Sequence, residues 1–242
     1  MRSLLICFCL FLIQPMAFGQ GKPSNAHLMP TPHYLEEIKS ELTKEWPQNR
    51  TINLVFHGHS VPAGFFKTPI VNTLDAYPFQ LLGLLKDRYP HAVINAIVTA
   101  KGGENAHSGQ ARFVDEVLNH QPDILFIDYA LNDRGIGLEA AKKAWTDMIV
   151  QATQRGIKVI LLTPSPDMRS DLLNPADPLK SHSDQIVELA AAHSVGLADV
   201  FSLFQQIDKA CNCIEDYMSQ VNHPNQKGHE IIATEILRYF IE

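Results

Sequence analysis

Cysteine is scarce in this chain, and its placement excludes a disulfide-built fold. Of four cysteines, Cys7 and Cys9 sit in a leading apolar run, and Cys211 and Cys213 are separated by Asn212 alone. One intervening residue makes an unstrained bridge difficult. The pair therefore reads as two loop thiols or one strained local bridge, ahead of any metal or redox site, and the fold must rest on its core. Positive charge is also short: 20 Lys and Arg stand against 26 Asp and Glu, a formal net charge of −6. With no basic patch, nucleic acid and anionic membrane surfaces are excluded as partners. Long hydrophobic runs are missing too. Leu4–Ile13 is too short to cross a bilayer comfortably, but Arg2 before it and Ala17-Phe18-Gly19 after it have the form of a secretory signal. The expectation is a signal peptide over 1–19, a chain beginning near Gln20, and a periplasmic or secreted location without stable membrane association. No cysteine follows the expected cut, which disfavours a lipid anchor there. Internal repeats and low-complexity tracts are absent.

What is present fits one globular domain. The 242 residues, 45% of them hydrophobic, suffice for a full core. Residues 20–50 read as a lead and helix, and 51–242 as the main domain. Helical stripes are expected over Tyr34–Trp46, Leu74–Tyr89, Ser108–His120, Leu138–Arg155, His182–His193 and Gln226–Phe240. Near-continuous apolar runs predict strands at Ile52–Phe56, Ala92–Val98, Ile124–Tyr129, Ile157–Leu162 and Val195–Val200. Val61–Thr73 and Pro164–Pro178 read as loops, and the chain from Val200 to Pro224 as irregular. Strand and helix alternate throughout. That predicts an α/β fold: three layers, α/β/α, around a flavodoxin-like, mainly parallel five-stranded sheet.

In such sheets ligands bind beyond the carboxyl ends of the strands, so the chemistry is sought there. The first strand delivers Ser60 on a bend after Gly58. The second leads to Gly102-Gly103-Glu104-Asn105, where glycine lets a backbone N–H approach a ligand. The third leads to Asn132-Asp133, whose amide can donate to a developing negative oxygen. Outside that set, Asn222-His223-Pro224 places a histidine just before the last helix. A hydroxyl, three potential donors and an imidazole are the parts of acyl-transfer chemistry.

These blocks resemble those of the SGNH hydrolases, the GDSL-type serine esterases. The Gly-Asp-Ser block corresponds to Gly58-His59-Ser60, the glycine block to Gly103, Gly-x-Asn-Asp to Ala130-Leu131-Asn132-Asp133, and Asp-x-x-His-Pro to Gln220-Val221-Asn222-His223-Pro224. All four stand in the family order, from about Ile52 to the C-terminus. The resemblance implies a serine esterase using no metal or organic cofactor, and the signal-like N-terminus adds the expectation that it is exported. Its substrates would be small-molecule or carbohydrate esters, with acyl groups on polysaccharides the first expectation. Ser60 would be the nucleophile and His223 the base, with the N–H groups of Ser60 and Gly103 and the Asn132 side chain as oxyanion donors.

The sequence departs from the pattern at His59, at Ala130 and, more seriously, at Gln220, which stands in the slot of the triad aspartate. Three supports for His223 are open: Gln220 as a neutral third member; a substitute acid from Asp216, Glu215 or Glu104; or a Ser–His dyad. The expectation here is a dyad oriented by Gln220 or a backbone carbonyl. Acyl transfer to a sugar hydroxyl uses the same residues and is an alternative. Two further alternatives are a non-catalytic carbohydrate-binding protein on the same scaffold, and a metallohydrolase using His57, His59, His223, His229 and Asp133. Asp128 reads as a buried hydrogen-bonding carboxylate or as nothing special, and Phe65 and Phe66 as packing or a substrate wall.

Overall fold

Burial along each strand sets the architecture. A computed structural model describes residues 33–241; the expected signal peptide lies outside them. Five strands, β1 (Thr51–Gly58), β2 (Val93–Val98), β3 (Ile124–Asp128), β4 (Lys158–Leu162) and β5 (Gly196–Ala198), form one parallel sheet in the order β2-β1-β3-β4-β5. Leu54 and Phe56 of β1, with Phe126 and Ile160, face one side of the sheet; Val55, Leu125, Ile127 and Val159 face the other. A strand buried on both faces has no polar side to present, which is why its sequence reads as a continuous apolar run.

The helices cover both faces. In chain order they are α1 (Glu36–Leu42), α2 (Tyr77–Arg88), α3 (Ala106–Ala111), α4 (Phe113–Glu116), α5 (Ala130–Asp133), α6 (Leu138–Thr153), α7 (Pro178–His193), α8 (Val200–Cys211) and α9 (Gln226–Ile241). α1, α2, α8 and α9 supply the core on one face; α3, α4, α6 and α7 supply the other. A small antiparallel ladder, β6 (Met218–Gln220) with β7 (His223–Pro224), stands apart from the sheet. Among the described residues no helix is long and apolar enough to cross a membrane.

The chain differs from its sequence expectations at several ends. α8 occupies part of the stretch expected to be irregular. Its stripe of Val200, Phe201 and Phe204 is buried, and the Asp199 side chain caps its first turn by accepting from the Ser202 N–H. The helix expected over Ser108–His120 begins earlier, at Ala106, capped by Asn105, and breaks at Arg112 into short pieces. α7 starts at Pro178 rather than His182, because Asp177 caps it and proline is tolerated in a first turn. Cys211 and Cys213 form a local disulfide, with Cα atoms 5.2 Å apart.

Register places the site. Phe56 lies level with Val98 on one side and Phe126 on the other, and Gly58 is level with Asp128. The chain therefore leaves β1, β2 and β3 at one edge, where the strand order reverses between β1 and β3.

Candidate active site

Ser60 reaches that edge because Gly58 lets β1 run hard against β3. A Cβ on Gly58 would stand 2.4 Å from the Asp128 carbonyl oxygen, so no larger residue fits. The His59 N–H donates to that same carbonyl, at 3.2 Å, and the chain turns at Ser60. The Ser60 carbonyl accepts from the Phe65 N–H at 3.0 Å, while Gly64 closes the turn at φ +85°. The Ser60 N–H meets no acceptor among the described residues.

The histidine comes from β7. Ser60 Oγ lies 2.9 Å from His223 Nε2, and both residues are 6% exposed. Burial is the main cause holding the His223 imidazole below the usual histidine range; the Phe66 carbonyl opposes the shift and His59 adds to it. At neutral pH this ring is unprotonated and can accept the serine proton.

Two groups meet the other ring nitrogen. His223 Nδ1 is 2.8 Å from the Phe66 carbonyl oxygen and 2.7 Å from Gln220 Nε2. Gln220 Oε1 is engaged elsewhere, accepting the Thr68 N–H at 2.9 Å. Of the candidate acids, none pairs with His223. Glu104 is bound by Arg112 and by the Tyr129 hydroxyl. Glu215 and Asp216 lie on a 3-10 turn, and Asp216 meets this region through its backbone carbonyl, which accepts from Asn225.

The donor side is assembled by a buried polar network. Gly103 adopts φ +78°, with open space where a Cβ would stand, and its N–H meets no acceptor among the described residues. The Lys101 N–H donates to the Gly58 carbonyl at 3.0 Å, which sets this loop beside Ser60. Asn132 gives one Nδ2 hydrogen to the Glu104 carbonyl at 2.9 Å, and the second meets no acceptor among the described residues. The Glu104 carboxylate bonds Arg112 Nε at 2.7 Å and Tyr129 Oη at 2.8 Å, and Arg112 Nη2 donates to the Thr99 carbonyl. Burial pushes the Glu104 carboxyl up, but Arg112 and Tyr129 together outweigh it and hold the group below the usual carboxylate range. One carboxylate fastens the loops after β2 and β3 to each other. Sequence reasoning offers Glu104 as a candidate histidine partner and misses this part; the spacing to Arg112 is its only signal.

The remaining buried polar residues brace the site. Asp133 accepts from the Ala106 N–H and Trp145 Nε1, both at 2.7 Å, and burial pushes its carboxyl up to about 6. Asp128 accepts the Tyr77 hydroxyl and lies 3.3 Å from His59 Nε2. His229 Nδ1 accepts the Tyr77 N–H. His57 lies between Thr99 Oγ1 at 2.9 Å and the Gly109 carbonyl at 3.2 Å. His57 and His59, two apart in sequence, therefore serve different networks. No group of three His, Cys, Asp or Glu side chains among the described residues is placed to hold a metal ion. Ala130, in the glycine slot of the third block, is fully buried.

Comparison with known proteins gives the family and the fold. The family model described as GDSL-like Lipase/Acylhydrolase matches residues 56–231. No curated protein matches the chain. Among solved structures, an acetylxylan esterase from Geobacillus stearothermophilus is 20% identical, with TM-score 0.67 over 78% of this chain and 94% of that one. A two-domain esterase active on acetylated mannans is 17% identical, with TM-score 0.70 over 88% of this chain and 53% of that one. At such identities the likeness is one of fold.

Proposed function

The chain belongs to the GDSL-like lipase/acylhydrolase family and is a carboxylic ester hydrolase, and from that premise we propose that Ser60 and His223 carry its reaction. The carrying observation is the 2.9 Å contact between Ser60 Oγ and His223 Nε2 beside unpaired backbone donors. Ser60 Oγ attacks the ester carbonyl while His223 Nε2 takes its proton. The N–H groups of Ser60 and Gly103 and the free Asn132 N–H receive the negative charge that develops on the carbonyl oxygen. Collapse of the tetrahedral species breaks the bond to the alcohol, which leaves with the proton from His223. Water then attacks the acyl-serine by the same route and regenerates the serine.

The substrate we propose is an acyl group, acetyl first, carried on a carbohydrate hydroxyl outside the cytoplasm. Two things support this: the fold likeness to esterases acting on acetylated xylan and mannan, and the signal-like N-terminus. The test is a panel of acetylated xylo- and manno-oligosaccharides, aryl acetates and longer-chain acyl esters. Wild type should prefer the acetylated sugars, and Ser60→Ala should lose turnover on every ester. Preference for long acyl chains removes the carbohydrate assignment, and turnover surviving in Ser60→Ala removes the nucleophile.

A further inference from the structure

An aspartate is missing from its slot, and something must hold the imidazole of His223 in the tautomer that leaves Nε2 free. We propose that the backbone carbonyl of Phe66, carried on the flap formed by residues 65–71, is the third member of the catalytic group, and that Gln220 is the tether that holds the flap. The proposal rests on the reading of Ser60 and His223 as nucleophile and base.

Hydrogen-bond direction separates the two neighbours of Nδ1. A carbonyl requires a hydrogen on Nδ1, which leaves Nε2 with a lone pair for the serine proton. An amide N–H requires a lone pair on Nδ1, which puts the hydrogen on Nε2 and blocks it as a base. Gln220 presents its nitrogen to His223 because its oxygen accepts the Thr68 N–H. Turned over, its NH2 would face that N–H, donor against donor. Oriented by Thr68, the glutamine offers Nδ1 a donor in place of the acceptor a carboxylate would supply. The acceptor for Nδ1–H is therefore Phe66 O at 2.8 Å, and the Gln220 NH2 then has Asn222 Oδ1, at 3.4 Å, as its own acceptor.

The flap is built to present that oxygen. Phe65 and Val71 form an antiparallel bridge, the Phe66 N–H donates to the Ile70 carbonyl at 3.1 Å, and the Ile70 N–H to the Lys67 carbonyl at 2.9 Å. Below, the Phe66 ring stacks on His229 at 5.4 Å and 20°. Alongside, the Phe65 ring lies 6.0 Å from the His223 ring and so close to Gly102 that a Cβ there would stand 3.0 Å from it. Gln220 then pins the outer end, through Thr68, to the ladder that carries His223. No carboxylate pairs with His223 among the described residues; the titratable group acting on its ring is the imidazole of His59, and His223 in turn acts on His229.

Replacing Lys67 by its α-hydroxy acid turns the Phe66 carbonyl from amide into ester, a weaker acceptor. The Lys67 N–H it removes has no acceptor among the described residues. We expect kcat to fall about 3- to 10-fold, the weight of one weakened hydrogen bond, with KM unchanged and the acid limb of the pH profile moved lower. Gln220→Glu keeps an oxygen for Thr68 and sets a second oxygen against Nδ1. It should move that limb higher by about one pH unit, while Gln220→Ala, losing only the tether, should cost no more than about 10-fold in kcat. An ester variant equal to wild type, or a Gln220→Ala variant crippled by about 100-fold or more, would overturn the proposal and make the glutamine the support. Ser60→Ala run alongside separates the failures: turnover surviving there removes the nucleophile reading itself.

Discussion

At the scale of single residues, the site divides into groups that meet the reacting atoms and groups that aim them. Asn132 belongs to the first kind under the proposed mechanism, since one of its two amide hydrogens is spent on the Glu104 carbonyl and the other is free. Asn132→Ala should therefore lower kcat by about 10²–10³, roughly 3–4 kcal/mol of transition-state stabilisation, with KM and Tm nearly unchanged; steady-state kinetics beside a thermal melt would check this. A variant that keeps its turnover would take Asn132 out of the hole. Ser60, Gly103, Asn132 and His223 are all legible in the sequence, because side-chain chemistry and glycine punctuation leave letters behind. The Phe66 carbonyl is not. Every residue carries a carbonyl, so the sequence can show that an acid is missing at 220 without showing which backbone oxygen faces the ring.

At the scale of elements, strands are more legible than the chain between them. β1, β3 and β4 are buried on both faces, and a long apolar run bounded by turn residues marks such a strand directly. α8 is harder to see, although Val200, Phe201, Leu203, Phe204 and Ile207 recur at helical spacing; the short strand before it ends at Ala198, so close that Val200 reads in sequence as a continuation of the strand. The break at Arg112 has a different cause. That side chain turns inward to Glu104 and the Thr99 carbonyl, a tertiary demand that no helical periodicity encodes. The boundary between β5 and α8 is set by Asp199, which accepts from the Ser202 N–H, the Ser202 hydroxyl and the Thr163 hydroxyl. Asp199→Ala should cost about 1–2 kcal/mol, a fall of a few degrees in Tm, with ester turnover per folded molecule preserved. A melt unchanged by the substitution would show that the cap contributes nothing.

At the scale of the whole molecule, buried imidazoles set how the fold answers to acid. Burial first, with Arg112 second, pushes His57 down to about 3; burial first, with His223 second, does the same to His229. A histidine depressed in the folded state adds stability that is fully present above its unfolded value of 6.5 and is lost as pH falls towards 3. Asp133 acts the other way: raised to about 6, it adds stability present below 3.8 and lost as pH rises through 6. Between about pH 6 and 4 the two histidines would take up two protons on unfolding and Asp133 would release one. From these three groups the net slope is about one proton, or about 1.4 kcal/mol per pH unit, and His182 and His223, also lowered by burial, add to it in the same direction. Unfolding free energy measured by denaturant titration should drop as the solution is acidified across that window, and His229→Gln should flatten the slope. A wild-type profile that is level from about pH 7 to 4 would contradict the assignment.

Of the two tryptophans, Trp46 is 84% exposed and Trp145 is wholly enclosed, its indole N–H held by Asp133 one residue past the proposed oxyanion donor. The protein thus carries its own optical probe. Iodide should quench the emission of Trp46 and spare that of Trp145, and the spared band should change near pH 6 as the neighbouring carboxyl gains its proton. Fluorescence of the unlabelled enzyme would then report on the helix that presents Asn132, while Trp46 serves as an internal reference from the opposite end of the sheet.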